Sequence, residues 1–481
     1  MDLSALGAAE LSVAIHGREV SCREVMAAHL ARIDERNPAL NAIVNRRDPD
    51  VLIAEAAACD DELAAGSSRG WMHGMPQAIK ELADVAGLPT TSGSPLLRDF
   101  VPKADALVVR RMRAAGCLIV GKTNVPEFGL GSHTFNEVFG PTRNPYDTSR
   151  TPGGSSGGAA VALATSMLPV ADGSDYMGSL RNPAAWCNVF GFRPSRGRVP
   201  AFPERDGFLG GLATEGPMGR RVLDVALLLG TQAGEDRRVP GSLSGRLDEL
   251  ATIEPARRAL DAGGGLRGTR VGWLGDLGGH LPFEDGVLDV ARRGVDRLAV
   301  LGADVEPAAI PVDLDELWEA WLVWRQLLVG AGLGPLAAAP ARRLLIKPEA
   351  LWEIDQGANL TGAQVAWASE ARTRFALAMH GVFERFDVLA IPTAQVWPFP
   401  VEQRWPATVG GRAMDTYHRW MEVTTYATFA GLPAISVPAG FDDRGLPMGL
   451  QLIGPPRDDV AVLRVAARYE TTIADLGVGC A

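Results

Sequence analysis

Ser21 and Glu24 stand three apart, and Val25, His29, Leu30 and Ile33 then return on one face, the pattern of a capped amphipathic helix. Asn37-Pro38 is expected to end that helix, and a second is predicted over about 50–64. From residue 75 short apolar runs alternate with helical stretches, as in an α/β sheet. Residues 77–79, 117–120, 168–171 and 190–192 read as strands, and 104–115, 156–166 and 222–229 as helices. Ala262-Gly263-Gly264-Gly265 is the best candidate joint, followed by a strand over 269–274 and a helix over 285–301. A section rich in tryptophan (Trp318, Trp321, Trp324, Trp352, Trp367) has a more irregular pattern. Strand texture returns at 388–391, 434–437 and 448–453, and a helix over 458–469 closes the chain. No fixed-period repeat is visible. The middle reads as an insertion or cap, with the tail returning to the first sheet.

Composition narrows the function classes. Of 481 residues, 47% are hydrophobic and 22% charged, the balance of a globular protein with an ample core. The net charge of −10 leaves a nucleic-acid surface dependent on a local basic patch, and none is present; Arg257-Arg258 reads as a solvated helix face. Five cysteines (Cys22, Cys59, Cys117, Cys187, Cys480) form no CxxC, so reduced thiols are expected rather than a zinc site or disulfide framework. Met1-Asp2-Leu3-Ser4 lacks the basic start and apolar run of a signal peptide, and 327–341 is too short and too rich in Gly and Pro to span a bilayer. A soluble cytoplasmic protein without a cofactor is the expectation.

Two motifs mislead. Gly116 to Thr123 fits GxxxxGK[ST], but the four residues meant to wrap a phosphate are the apolar run 117–120, and a helix rather than a strand precedes them. Ser155 and Ser156 each fit GxSxG, yet a loop from Asn144 precedes them where a nucleophile elbow needs a strand. His380 and His418 lie in helical patterns without a distinctive context, so no histidine base stands out.

What remains is a glycine-serine loop entering a helix, where hydroxyls and N–H groups meet the positive end of a helix dipole. A second loop, from Asp172 to Pro183, follows a strand and carries Ser179 beside Gly178; such a turn can aim successive N–H groups at one point. Lys80 ends a predicted strand, and a desolvated lysine can serve as a base. Nothing in its local pattern separates it from a surface lysine.

Together these segments resemble the amidase signature family. The resemblance rests on Gln77-Ala-Ile-Lys80-Glu with Thr90-Thr-Ser-Gly-Ser94, Gly121-Lys-Thr-Asn124 with Glu127-Phe128, and Pro152-Gly-Gly-Ser-Ser-Gly-Gly158. It continues through Gly173-Ser-Asp175, Gly178-Ser-Leu-Arg181, Gly191 to Val199, Ala430 to Val437 and Gly445 to Gln451, and is weakest between about 265 and 385. It implies one large α/β domain over 1–481, with a central twisted mixed β-sheet covered by helices on both faces. Within it, N-terminal helices would occupy 1–75, the catalytic core 76–262, a cap-like section 263–385, and the return to the core sheet 386–481.

The same resemblance implies amide hydrolysis, with Lys80 as base, Ser155 as bridging cis-serine and Ser179 as nucleophile. It also implies an oxyanion hole from the main-chain N–H groups of Tyr176, Met177, Gly178 and Ser179, and a substrate pocket lined by Gly129. Asp175 and Arg181 are expected to fix the loop. Tyr176-Met177 is bulkier than the small residues found there in many relatives, and Glu81 replaces a common aspartate. The expected substrate is a hydrophobic or aryl amide, with carbamates or esters of similar shape admitted, and tryptophans, Trp397, Trp405 and Trp420 included, are candidates to frame its pocket. Water would be the second reactant, neither nucleic acid nor membrane a partner, and a homodimer is left open. The alternatives are a glutamine-hydrolysing subunit of a tRNA-dependent amidotransferase and a binding protein on a decayed amidase scaffold.

Overall fold

The computed structural model describes residues 2–260 and 264–479. Ala262 and Gly263 of the expected joint, and Cys480, lie outside the described residues. Three strands, β1 (Ile43–Val44), β2 (Pro76–Lys80) and β3 (Leu118–Thr123), form a small sheet in the order β1-β3-β2, with β2 parallel to β3. Eight more build the main sheet: β4 (Val170–Asp175), β5 (Phe190–Arg193), β6 (Thr214–Gly219), β7 (Arg270–Trp273), β8 (Asp304–Pro307), β9 (Val388–Pro392), β10 (Ala434–Phe441) and β11 (Pro447–Ile453). Their order is β4-β6-β5-β10-β11-β9-β7-β8, antiparallel except for the parallel pairs β9/β7 and β7/β8. This is one α/β domain around a mixed sheet, with helices on both faces.

The apolar runs of the tail become central because they are buried on both faces: every residue of β11 and all but the last of β10 are inaccessible. Helices Arg181–Trp186 and Val287–Val300 both pack on these two strands. The small sheet meets the main one where β2 packs against β4, which carries the end of β2 under the first edge of the large sheet.

Two expectations need correction. The helix capped by Ser21 runs through Pro38 to Leu40. Proline removes one N–H, but so near the end the final turn is closed by Asn41 N–H donating to Asn37 C=O at 2.7 Å, and Asn37 Oδ1 accepts from Ala42 and Ile43. The tryptophan-rich section is regular: helices Leu314–Leu333, Pro348–Ala358 and Gly362–Phe383. The first packs against both of the others, so it lacks a clean polar face and its sequence hides its period. Among the described residues no helix is long and apolar enough to cross a membrane.

Candidate active site

Ser155 sits where the glycine-serine loop enters helix Gly157–Ala164, all eight residues of which are buried. Small side chains let this helix lie against backbone: a Cβ on Gly158 would come 2.4 Å from Asn124 N and 2.5 Å from Ala42 O, so no larger residue fits. The loop is pinned from beside it. Ser132 Oγ donates to Gly154 C=O at 2.6 Å and accepts from Gly154 N–H at 3.1 Å, and Thr134 Oγ1 donates to Gly153 C=O at 2.7 Å. The Gly154–Ser155 peptide is cis.

Ser179 lies in the turn between β4 and helix Arg181–Trp186. The loop expected from Asp172 is shorter, because β4 continues to Asp175 through its antiparallel ladder with β6, from Val170↔Gly219 to Asp175↔Thr214. Pairing overrides polar composition there. The turn is tied down by a buried carboxylate: Asp175 accepts from Arg181 Nε and Nη2 (both 2.9 Å), Arg193 Nη1 (3.3 Å), Gly178 N–H (2.9 Å) and Leu180 N–H (3.2 Å). Burial alone would raise the Asp175 carboxyl, but the two guanidinium groups hold it well below the usual carboxylate range. Arg181 also reaches Thr424 C=O and Thr428 Oγ1 (3.0 Å each) and Gln451 Oε1, anchoring the turn to the tail of the chain. Of the four N–H groups expected to face an oxyanion, that of Gly178 donates to Asp175. Asp175→Ala would strand two buried guanidinium groups and is expected to lose about 3–5 kcal/mol in a urea unfolding titration.

Lys80, the last residue of β2, is fully buried. Its Nζ lies 2.9 Å from Ser155 Oγ, 2.8 Å from Ser156 Oγ, 2.9 Å from Ser174 Oγ and 3.0 Å from Ser174 C=O. Burial lowers its ammonium to about 8, against the opposing pull of Glu215, Asp175 and Asp172. A lysine so placed is neutral in about one molecule in ten at pH 7 and about half at pH 8.

Ser155, Ser174 and Ser179 open on one cavity of about 250 Å³. Leu82, Phe128, Leu130, Leu328, Val329 and Met421 give it apolar walls, and Tyr176 and Met177, at the start of the turn, line it too. Gly129 also lines it, with φ +70°; a Cβ there would come 2.7 Å from Leu82 Cδ1 and 3.4 Å from Ser155 Oγ. No tryptophan and no histidine lines this cavity among the described residues. Of the candidate tryptophans, Trp318, Trp321, Trp324, Trp397 and Trp420 are core and Trp352, Trp367 and Trp405 half-buried; Trp321 meets Tyr176 edge-on from behind the wall.

The two misleading motifs resolve as structure. Gly121 and Lys122 belong to β3, and the buried Lys122 Nζ donates to Ala83 C=O (2.6 Å) and Thr90 Oγ1 (2.9 Å) and pairs with Glu81 at 3.3 Å. Glu81 also accepts from Thr91 N–H and Oγ1 at 2.8 Å, so it braces the segment after β2. His380 is exposed, and His418 is buried among the rings of Trp318, Trp352 and Tyr417.

Sequence reasoning gave no part to Ser156, Ser174, Glu215 and Arg325. The first two stood inside motifs already noticed. Glu215 faces Ser174 across the β4/β6 ladder, and burial together with Asp172 raises its carboxyl while Lys80 opposes the shift. Its proximity follows from strand pairing and has no local signal. Arg325, in helix Leu314–Leu333, is the one charged residue lining the cavity among those described.

A family model described as Amidase matches residues 24–463. A glutamyl-tRNA(Gln) amidotransferase subunit from Acidothermus cellulolyticus is 35% identical over 98% of this chain and 94% of its own. A solved bacterial aryl acylamidase of the amidase signature family superposes with a TM-score of 0.90 at 32% identity, covering 99% of both chains. The peptide amidase of Stenotrophomonas maltophilia gives 0.79 at 30% identity over 97% of each.

Proposed function

The chain belongs to the amidase family of C–N hydrolases, and on that premise we propose that it hydrolyses hydrophobic or aryl carboxamides through an acyl-enzyme on Ser179. The observation that carries this reading is the contact of Lys80 Nζ with Ser155 Oγ at the floor of an apolar cavity that also holds Ser179.

Ser174 C=O can only accept, so it takes one N–H of a neutral Lys80; a second goes to Ser156 or Ser174 Oγ. The lone pair is then left to accept the hydroxyl proton of Ser155. Ser155 passes its proton to Lys80 as it takes one from Ser179, whose oxygen attacks the carbonyl carbon. Backbone N–H groups of Tyr176, Met177 and Ser179 hold the oxyanion, that of Gly178 being engaged by Asp175. Collapse expels the amine, and the relay runs in reverse to give its nitrogen the proton that an amide leaving group needs. Water then takes the place of the amine and releases the acid. Carbamates and esters of similar shape fit the same steps.

Because the base works deprotonated, kcat/KM is expected to rise with pH through an apparent value near 8, falling about tenfold per unit below it. A pH profile on a neutral amide checks this; a flat profile from pH 6 to 9 would remove Lys80 from the role.

A panel of amides read by mass spectrometry tests the substrate class. Anilides and long-chain amides are expected to exceed acetamide and propionamide at least about tenfold in kcat/KM; short aliphatic amides as the best substrates would overturn that class. The relatives that are amidotransferase subunits favour a second reading, glutamine hydrolysis in company with partner chains. Against it, no carboxylate lines the cavity among the described residues to receive the α-ammonium of glutamine. Ammonia release from glutamine, with and without candidate partner chains, separates the two.

A further inference from the structure

Away from Ser155, Ser174 and Ser179, the reaction cavity is apolar except at one wall. There Arg325, only 2% exposed, stands with its guanidinium carbon 5.2 Å from the centre of the Tyr176 ring. Nε of Arg325 donates to Glu353 Oε1 and Nη2 to the Tyr417 hydroxyl, which itself donates to Glu353 Oε1 at 2.8 Å. Nη1 has no hydrogen-bond partner among the described residues. The Tyr176 hydroxyl is buried and likewise without a partner among them. The Tyr176 hydroxyl is closed off from the cavity, so Arg325, besides the three serines, brings the unanswered side-chain donor to a wall otherwise of hydrocarbon, and that donor is costly unless the occupant answers it.

We infer that Arg325, flanked by the Tyr176 ring, forms a polar subsite that recognises a neutral hydrogen-bond acceptor on the substrate, such as a ketone, ether, nitro or second amide oxygen, remote from the scissile bond. This names the substrate class of the site proposed above and rests on that reading. A neutral acceptor is favoured over a carboxylate because Glu353, fully buried, already balances the charge of Arg325. A second anion would meet that carboxylate across a single guanidinium in a low-dielectric wall. The subsite makes an apolar amide with one distal oxygen a better ligand than its pure hydrocarbon counterpart.

The test uses binding, so that it does not depend on turnover. Ser179→Ala protein is titrated calorimetrically with two matched pairs of amides. One pair is a para-acetyl anilide against its para-isopropenyl isostere. The other is an acyl chain ending in a methyl ketone against the same chain ending in an isopropenyl group. In one pair at least, the ketone is expected to bind about tenfold or more tightly. Adding Arg325→Met with Glu353→Gln, which avoids stranding the carboxylate, should bring it near unity. Equal affinities within both pairs would overturn the inference, as would a ratio that survives Arg325→Met with Glu353→Gln undiminished. Tighter binding by a carboxylate-ended chain than by the ketone would overturn the neutral assignment. If the ketone preference appears but the wild-type protein hydrolyses none of the four, the inference stands and the hydrolase reading falls.

Discussion

Replacing Ser179 by alanine is expected to lower kcat/KM for an amide on the order of 10⁶-fold, the size seen when a serine nucleophile is removed from a hydrolase. The loss should fall on kcat, since the hydroxyl that forms the bond is missing while the cavity walls are untouched. Folding should be preserved. Ser179 is held through its neighbours: Asp175 fixes Gly178, Leu180 and Arg181, and the Ser179 C=O accepts from Ser156 N–H at 3.1 Å regardless of side chain. Rates retained within tenfold in a folded variant would remove Ser179 from the chemistry.

The second large effect is at Lys80. Lys80→Met keeps the length and apolar stem but deletes the base, and is expected to cost about 10²–10⁴-fold in kcat/KM. The rise in rate with pH should vanish with it, because the group that titrates is gone. Lys80→Arg should fare no better, since a guanidinium stays protonated throughout the working range. A lysine that served only to fill space would show the opposite: a methionine variant with much of its activity and an unchanged pH profile. Three hydroxyls, of Ser155, Ser156 and Ser174, lose a partner in the methionine variant, so its melting temperature reports separately on packing.

Much of this was legible in the chain, unevenly. The glycine-serine loop and the Gly178-Ser179 turn announce themselves because tight backbone approach demands residues that are rare in that density elsewhere. The buried strands of the tail are equally plain, since a strand covered on both faces has to be apolar throughout. Lys80 is different. A lysine at a strand end looks alike whether water or a second sheet lies beyond it, and only the packing of β2 on β4 decides. The tryptophan helix is obscured by its success at packing: with partners on two sides it shows no polar face to set its period. Pro38 misleads because a missing N–H matters less in a last turn closed by Asn37 and Asn41. Arg325 and Glu215 reach the site through tertiary pairing alone, across gaps in sequence that no local pattern spans.

The central claim is that the serine in the β4 turn, rather than the one on the glycine loop, takes the acyl group. An alkyl fluorophosphonate reacts with whichever serine is activated, and peptide mapping by mass spectrometry locates the adduct. The adduct is predicted on Ser179, absent from the Ser179→Ala protein and slowed severely in Lys80→Met. An adduct on Ser155, or none on a protein that still hydrolyses amides, would contradict it.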